Sequence, residues 1–331
     1  MRALVTGGGG FLGRRIVEML QARGDEVVVL ARGEYPDLPL VRGDVSDADA
    51  VRRAAEGCDA VFHVAAKAGV WGPRAEYERS NIVGTQNVLA ACLGLGVRTL
   101  VYTSSPSVVF DGAEHVDAKN DLPYPDHYEA IYPATKARAE RLVLEANGPK
   151  LATVALRPHL IYGPGDPHLL PRLFARQKAG RLRIVGDGEN RVSLTFVDNA
   201  ASAHVAACDA LKRGAPFSGK AFFVNDAEPV RVWDWLNELF EHVGLPRVTR
   251  RVPLWAARAA GGLAEAVWSL GLDGEPPMTR FVAQQLATTH TYDLGPARDA
   301  FGWTPPVAGN EALARTAAWW SGRVLDRKLG T

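Results

Sequence analysis

A strand that runs into repeated glycines and turns directly into a helix leaves a chain few folds to choose from. Residues Ala3 to Thr6 read as a short buried strand, Gly7-Gly8-Gly9-Gly10-Phe11-Leu12-Gly13 follow, and an amphipathic helix extends to about Ala22. The spacing of Gly7, Gly10 and Gly13 is Gly-x-x-Gly-x-x-Gly. Glycines there permit a tight turn and let the backbone approach a pyrophosphate, whose charge meets the N-terminus of the helix. A second strand, Glu26 to Leu30, ends in Ala31-Arg32. A ribose with a free 2′-hydroxyl usually meets Asp or Glu at this point, and a 2′-phosphate is better served by arginine. Arg32 therefore favours NADP(H) over NAD(H), which stays possible if Arg32 is simply solvated. After a third short strand, Asp44 is placed to meet the adenine edge.

Strands and helices then alternate. Ala60 to Ala66 form a fourth strand ending in small residues that leave room for a dinucleotide, and His63 within it reads as a satisfied core histidine. Helical periodicity runs from Tyr77 to Leu95, and Thr99 to Thr103 form a fifth strand that opens into Thr103-Ser104-Ser105-Pro106-Ser107. Hydroxyls at the carboxyl end of a parallel strand sit where open α/β sheets bind ligands, although such clusters also cap turns. Tyr132-Pro133-Ala134-Thr135-Lys136 opens the next helix, with Pro133 at a tolerated early position. Four residues apart, Tyr132 and Lys136 share a face, and an ammonium beside a phenol is expected to lower the phenol pKa towards working pH. A sixth strand is expected over Thr153 to Tyr162.

This alternation implies an α/β fold with a doubly wound parallel (Rossmann) sheet. Residues 1–162, joined by 194–226, form the expected dinucleotide-binding domain; 163–193 and the tryptophan-rich, mostly helical 227–331 form a smaller substrate lobe. With 38 basic and 37 acidic residues, interspersed, the net charge of +1 offers no footprint for nucleic acid. Cys58, Cys92 and Cys208 are scattered among apolar residues and suggest neither a disulfide framework nor a metal site. Met1 leads directly into the strand pattern, so no secretion signal is expected and a cytoplasmic location is.

Taken in order, Thr6-Gly7-x-x-Gly10-Phe11-Leu12-Gly13, Asp44-Val45, His63-x-Ala65-Ala66, Asn81, the strand end at Ser105, Tyr132-x-x-x-Lys136, Arg157-Pro158 and Phe196-Val197-Asp198 resemble the extended short-chain dehydrogenase/reductase family across nearly the whole chain. The resemblance implies that Ser105 holds a reacting oxygen, Tyr132 moves its proton and Lys136 also contacts the nicotinamide ribose. It places Gly7, Gly10, Phe11, Leu12, Gly13, Arg32, Asp44, Val45, Ala65, Ala66, Lys67, Asn81, Thr103, Ser104, Pro158, His159 and Ile161 around the cofactor. It also implies a homodimer paired through the helices that carry Asn81 and Lys136.

Departures select the branch. Pro106-Ser107 stands where a dehydratase carries an Asp-Glu pair, and Val192-Ser193-Leu194 stands where sugar-nucleotide enzymes carry an arginine motif, with Arg191 one residue out of register. The segments Lys67-Ala68-Gly69-Val70-Trp71-Gly72, Gly186-Asp187-Gly188-x-Asn190 and Pro276-Pro277-Met278-Thr279-Arg280 resemble the 3β-hydroxysteroid dehydrogenase-like branch. Within that branch the Lys67 to Gly72 loop and the Tyr35-Pro36-Asp37-Leu38 turn are most similar to the 2-alkyl-3-oxoalkanoate reductases of long-chain olefin biosynthesis. The resemblance implies hydride transfer to a 3-keto group, or from a 3-hydroxy group, of a large apolar substrate. Rival readings are a sugar-nucleotide epimerase with tightly bound NAD and a non-catalytic dinucleotide sensor. Residues 254–272, apolar but for Arg258 and Glu265, read as an amphipathic helix that either roofs a hydrophobic tunnel or rests on a membrane or partner protein.

Overall fold

The computed structural model describes residues 1–326; 327–331, the end of the expected substrate lobe, lie outside the described residues. Seven parallel strands build the main sheet: β1 (Arg2–Thr6), β2 (Glu26–Ala31), β3 (Leu40–Arg42), β4 (Ala60–His63), β5 (Thr99–Thr103), β6 (Ala152–Pro158) and β7 (Lys220–Val224). Their order across the sheet is β3-β2-β1-β4-β5-β6-β7. The chain departs in opposite directions from β1, so the carboxyl ends of β1 and β4 flank the crevice in which such sheets bind ligands.

Both faces of this sheet are buried, which is why its strands are nearly continuous apolar runs. Successive side chains point to opposite faces. Ala3, Val5, Val29, Phe62 and Val154 meet Ile16, Val17 and Leu20 of helix α1 (Phe11–Ala22) on one face. Leu4, Leu30, Val61, Leu100 and Ala155 meet Val88, Leu89 and Cys92 of helix α2 (Gly84–Leu95) and Ala139 and Val143 of helix α3 (Ile131–Glu145) on the other. Helix α4 (Val197–Lys212) adds Ala200, Ala203 and Ala207 to the first face. A separate apolar cluster gathers Phe174, Trp233, Trp235, Phe240 and Trp320 around the later helices.

Three local expectations change. The helix expected over Tyr77 to Leu95 is interrupted by a π-helical stretch at Glu78–Val83, which carries the buried Asn81. The sixth strand stops at Pro158, where Leu160 adopts φ +43°; Ile161 and Tyr162 pair instead with Thr195 and Phe196. The helix within 254–272, α5, ends at Trp268 and packs on α6 (Arg280–Ala287).

Candidate active site

Around the first turn the glycines are required by space. Gly7 has φ +71°, and a Cβ on it would sit 3.0 Å from the Ala65 backbone; one on Gly13 would fall 2.2 Å from the Gly7 carbonyl oxygen. Gly10 N–H donates to that same carbonyl at 2.9 Å, closing the turn at the start of α1. This backbone cradle opens onto a cavity of about 700 Å³. Gly7, Gly10, Phe11, Leu12, Gly13, Arg32, Asp44, Val45, Ala65, Ala66 and Lys67 line one end, and Ser105, Tyr132, Lys136, Pro158, His159 and Ile161 the other. An elongated, glycine-floored cleft ending at a helix N-terminus fits a dinucleotide.

Asp44 accepts the Ser46 N–H at 2.8 Å. Partial burial raises its pKa, but Ser46, Arg32 and Arg79 outweigh this and hold the carboxyl below its ordinary range. The Arg32 guanidinium is largely exposed at the cavity edge, 3.8 Å from the Asp44 carboxylate. Lys67 borders the cavity, and its ammonium pairs with Glu76 at 2.7 Å. Asn81 does not line the cavity. Its side chain accepts the Lys67 N–H at 2.8 Å and donates to the Thr135 hydroxyl at 3.0 Å, tying the loop after β4 to the first turn of α3.

At the other end the Tyr132 phenol lies beside the Ser105 hydroxyl. Ser105 caps the short helix Pro106–Val109 and also receives the Ser107 hydroxyl at 3.0 Å. Desolvation pushes the Tyr132 pKa up to about 12, with Ser105 pulling the other way. The expected lowering by Lys136 is therefore not realised. The Lys136 ammonium instead donates to the Thr103 carbonyl at 2.5 Å and lies 4.1 Å from the Tyr102 ring centroid. Burial depresses the Lys136 pKa to about 7, while the charge of Glu140, one turn along α3, opposes the fall.

Thr103 and Ser104 of the strand-end cluster also line the cleft. Thr103 shares a 2.8 Å hydrogen bond with His204 of α4, and Ser104 faces Glu140. His159 borders the cavity with a ring that shares a 2.8 Å hydrogen bond with the Ser193 carbonyl; burial lowers its pKa to about 4. His63 is a core residue held by Thr6 at 2.8 Å and Thr85 at 3.0 Å.

The sequence reading passed over Glu140, which forms a buried two-point pair with Arg157 at 3.0 and 2.6 Å and accepts the Tyr124 hydroxyl at 2.6 Å. Its position, four residues after Lys136, was a usable signal. It also passed over Phe281 and Gln285, which α6 brings to the cavity from a distant part of the chain with no motif to mark them. Asp166 borders the cavity, but its carboxylate accepts the N–H groups of His168, Leu169 and Leu170, so it is engaged structurally. Arg191 lies outside the cavity, paired in register with Arg231 and bonded to the Pro229 carbonyl.

Helix α5 is polarised inversely to a surface helix. Arg258 turns inward to Glu129 and Gln284, and Glu265 to Arg280, while Trp255 (75% exposed), Leu263 (68%) and Leu270 just beyond the helix (86%) face outward. Among the described residues no helix is long and apolar enough to cross a membrane.

The sheet order and glycine-floored cleft define a dinucleotide-binding Rossmann fold, and the family and relatives it matches make it an NAD(P)-dependent oxidoreductase of the extended short-chain dehydrogenase/reductase type. The profile of the 3-beta hydroxysteroid dehydrogenase/isomerase family matches residues 4–254, and the chain belongs to that family. A 2-alkyl-3-oxoalkanoate reductase of Stenotrophomonas maltophilia is 48% identical over 326 residues, covering 96% of this chain and 99% of the relative. The decarboxylating sterol-4-alpha-carboxylate 3-dehydrogenase of Mus musculus is 35% identical, covering 95% and 90%. Among solved structures, the Thermus thermophilus UDP-glucose 4-epimerase complex with NAD superposes with a TM-score of 0.72 at 26% identity, covering 97% of this chain and 99% of that one.

Proposed function

We propose that this chain reduces the 3-keto group of a 2-alkyl-3-oxoalkanoate, using NADPH. The observation that carries the reading is Ser105 beside Tyr132 at the end of a cleft whose two bordering carboxylates are both engaged by backbone, Asp44 at the adenine end and Asp166 at the other. That arrangement supports carbonyl reduction and leaves elimination without an acid-base pair.

The dinucleotide would be held by the glycine turn at its pyrophosphate, by Asp44 and Val45 at its adenine end, and by Ala65, Ala66, Pro158, His159 and Ile161 towards its nicotinamide. It supplies the hydride. Arg32 would meet a 2′-phosphate, which is the ground for NADPH over NADH. Ser105 and Tyr132 together hold the keto oxygen. With its pKa near 12, Tyr132 carries its proton at neutral pH and gives it to that oxygen as the ketone becomes a secondary alcohol. Lys136, whose ammonium donates to the Thr103 carbonyl, would face the ribose of the bound dinucleotide. Asn81 is a positioning residue, since it ties α3 to the loop after β4.

The cofactor is assigned to 1–162 with 194–226, and the substrate to 163–193 with 227–331. Two copies are assigned to pair through the helical segment that carries Asn81 and continues into α2, and through α3 with Lys136, which sedimentation tests, and the protein to the cytoplasm, in keeping with its three free buried cysteines.

The test is a screen of purified protein with NADPH and NADH against 2-alkyl-3-oxo acids, 3-ketosteroids and sugar nucleotides. NADPH oxidation driven by the oxo acids is expected. Conversion of a sugar nucleotide, or no turnover with any keto substrate, refutes the reading.

A further inference from the structure

A second cavity, of about 580 Å³, lies under α5, between Gly262, Ala266 and Ser269 of that segment, the start of α6, the loop after β4 and the first turn of α3. It meets the dinucleotide cleft at Val70 and Phe281, which border both. Val70, Trp71, Ile131, Ala134, Ala266 and Phe281 give it a largely apolar lining, with Thr135, Ser269 and Thr279 beside them. The charged side chains that border it are engaged in pairs, Arg74 with Glu78 at 2.8 Å, Arg280 with Glu265 at 2.8 Å and Glu129 with Arg258 at 2.9 Å. No free charge is thereby offered to a polar ligand, and an unbranched hydrocarbon matches an apolar chamber of this kind.

We propose that this chamber is an alkyl-chain subsite that receives one of the two hydrocarbon branches of the substrate, the other lying in the main cleft. The inference rests on the proposed oxoalkanoate reductase activity, because that substrate carries two chains on adjacent carbons. The chamber reaches Ile131 and Ala134, the neighbours of Tyr132 in α3, so a chain within it begins beside the reacting carbonyl. The glycine pair of α5 divides the labour. A Cβ on Gly261 would lie 2.7 Å from the Thr279 backbone, so glycine there lets α5 approach α6 closely. A Cβ on Gly262 would meet only the Arg280 side chain, at 3.6 Å, which is ordinary contact, so glycine there leaves chamber volume free.

The test compares wild type with Gly262→Leu and, separately, Ala266→Leu, which lies one turn further along the same face. Near-ultraviolet circular dichroism and the NADPH dissociation constant check that each variant folds. Two readouts follow. Binding of cis-parinaric acid, a fluorescent straight-chain fatty acid, to the NADPH complex should weaken at least tenfold in both variants. In kinetics, the KM ratio of a doubly long-chain 2-alkyl-3-oxo acid to its singly shortened analogues should rise at least tenfold for one choice of shortened branch and not for the other. Equal probe binding in folded variants, or KM changes indifferent to which branch is shortened, overturns the subsite. If wild type reduces no oxo acid, the activity reading fails, and the probe titration alone still decides whether the chamber holds an alkyl chain.

Discussion

Replacing Glu140 by Gln removes one charge from the most deeply buried ion pair described beside the site while conserving side-chain shape. Glu140 and Arg157 are 0% and 3% exposed, and the pair is joined by two hydrogen bonds. A buried guanidinium left without its counter-ion typically costs about 3–5 kcal/mol. With an unfolding entropy of about 2.1 cal/mol/K per residue, a chain of 331 residues has about 0.7 kcal/mol/K, so the melting temperature should fall by about 4–7 °C. Burial raises the Glu140 pKa, but Arg157 outweighs it and the carboxyl is held below its ordinary value of 4.5. Its stabilisation is thus fully present above that value and is lost as the pH falls through the lower folded one. The gap between wild type and variant should be widest at neutral pH and shrink in acid. Replacing both partners, Glu140→Leu with Arg157→Leu, should recover more than half the loss, because no unpaired charge remains. Urea unfolding at pH 7 and pH 4, with a thermal melt at pH 7, measures all of this. A loss below about 1 kcal/mol at pH 7, or a gap that widens in acid, would refute the reasoning.

Two further outcomes follow from the same geometry. In the cofactor-free protein the Lys136 pKa is about 7 against an ordinary 10.5, so between these values the unfolded chain binds the extra proton and stability rises with pH, by up to about 1.4 kcal/mol per pH unit from this group. Lys136→Met should flatten that rise in unfolding free energy between pH 7 and 9.5; parallel slopes for the two proteins would contradict it. Arg32→Ala should raise the KM for NADPH about tenfold or more and leave that for NADH within about threefold, consistent with loss of a charge-assisted phosphate contact; equal effects on both would remove its proposed role.

What could be read in the sequence was local. The glycine turn, the strand-end serine and the Tyr132 to Lys136 spacing are marked by residue types within a few positions of one another, and each appears in the expected element. The unread features depend on distant partners. Thr103 commits its hydroxyl to His204 of α4, a hundred residues later. Lys136 gives its ammonium to the Thr103 carbonyl at the end of β5, and this redirects the charge expected to act on Tyr132. The outward apolar face of α5 was hidden for a related reason. Its two charges suggest a solvated stripe, yet Glu129 and Arg280 draw that stripe inward. The break at Leu160 left no periodicity signal, since the residues on both sides are apolar and extended.

The central claim is that Tyr132 delivers the proton to a keto oxygen held with Ser105. Tyr132→Phe removes only the hydroxyl, so steady-state reduction of a 2-alkyl-3-oxo acid, measured beside NADPH binding by fluorescence titration, tests it directly. The account predicts that kcat falls by about 10²–10⁴ while NADPH binding changes less than about threefold. A variant that retains more than a tenth of wild-type turnover would contradict it.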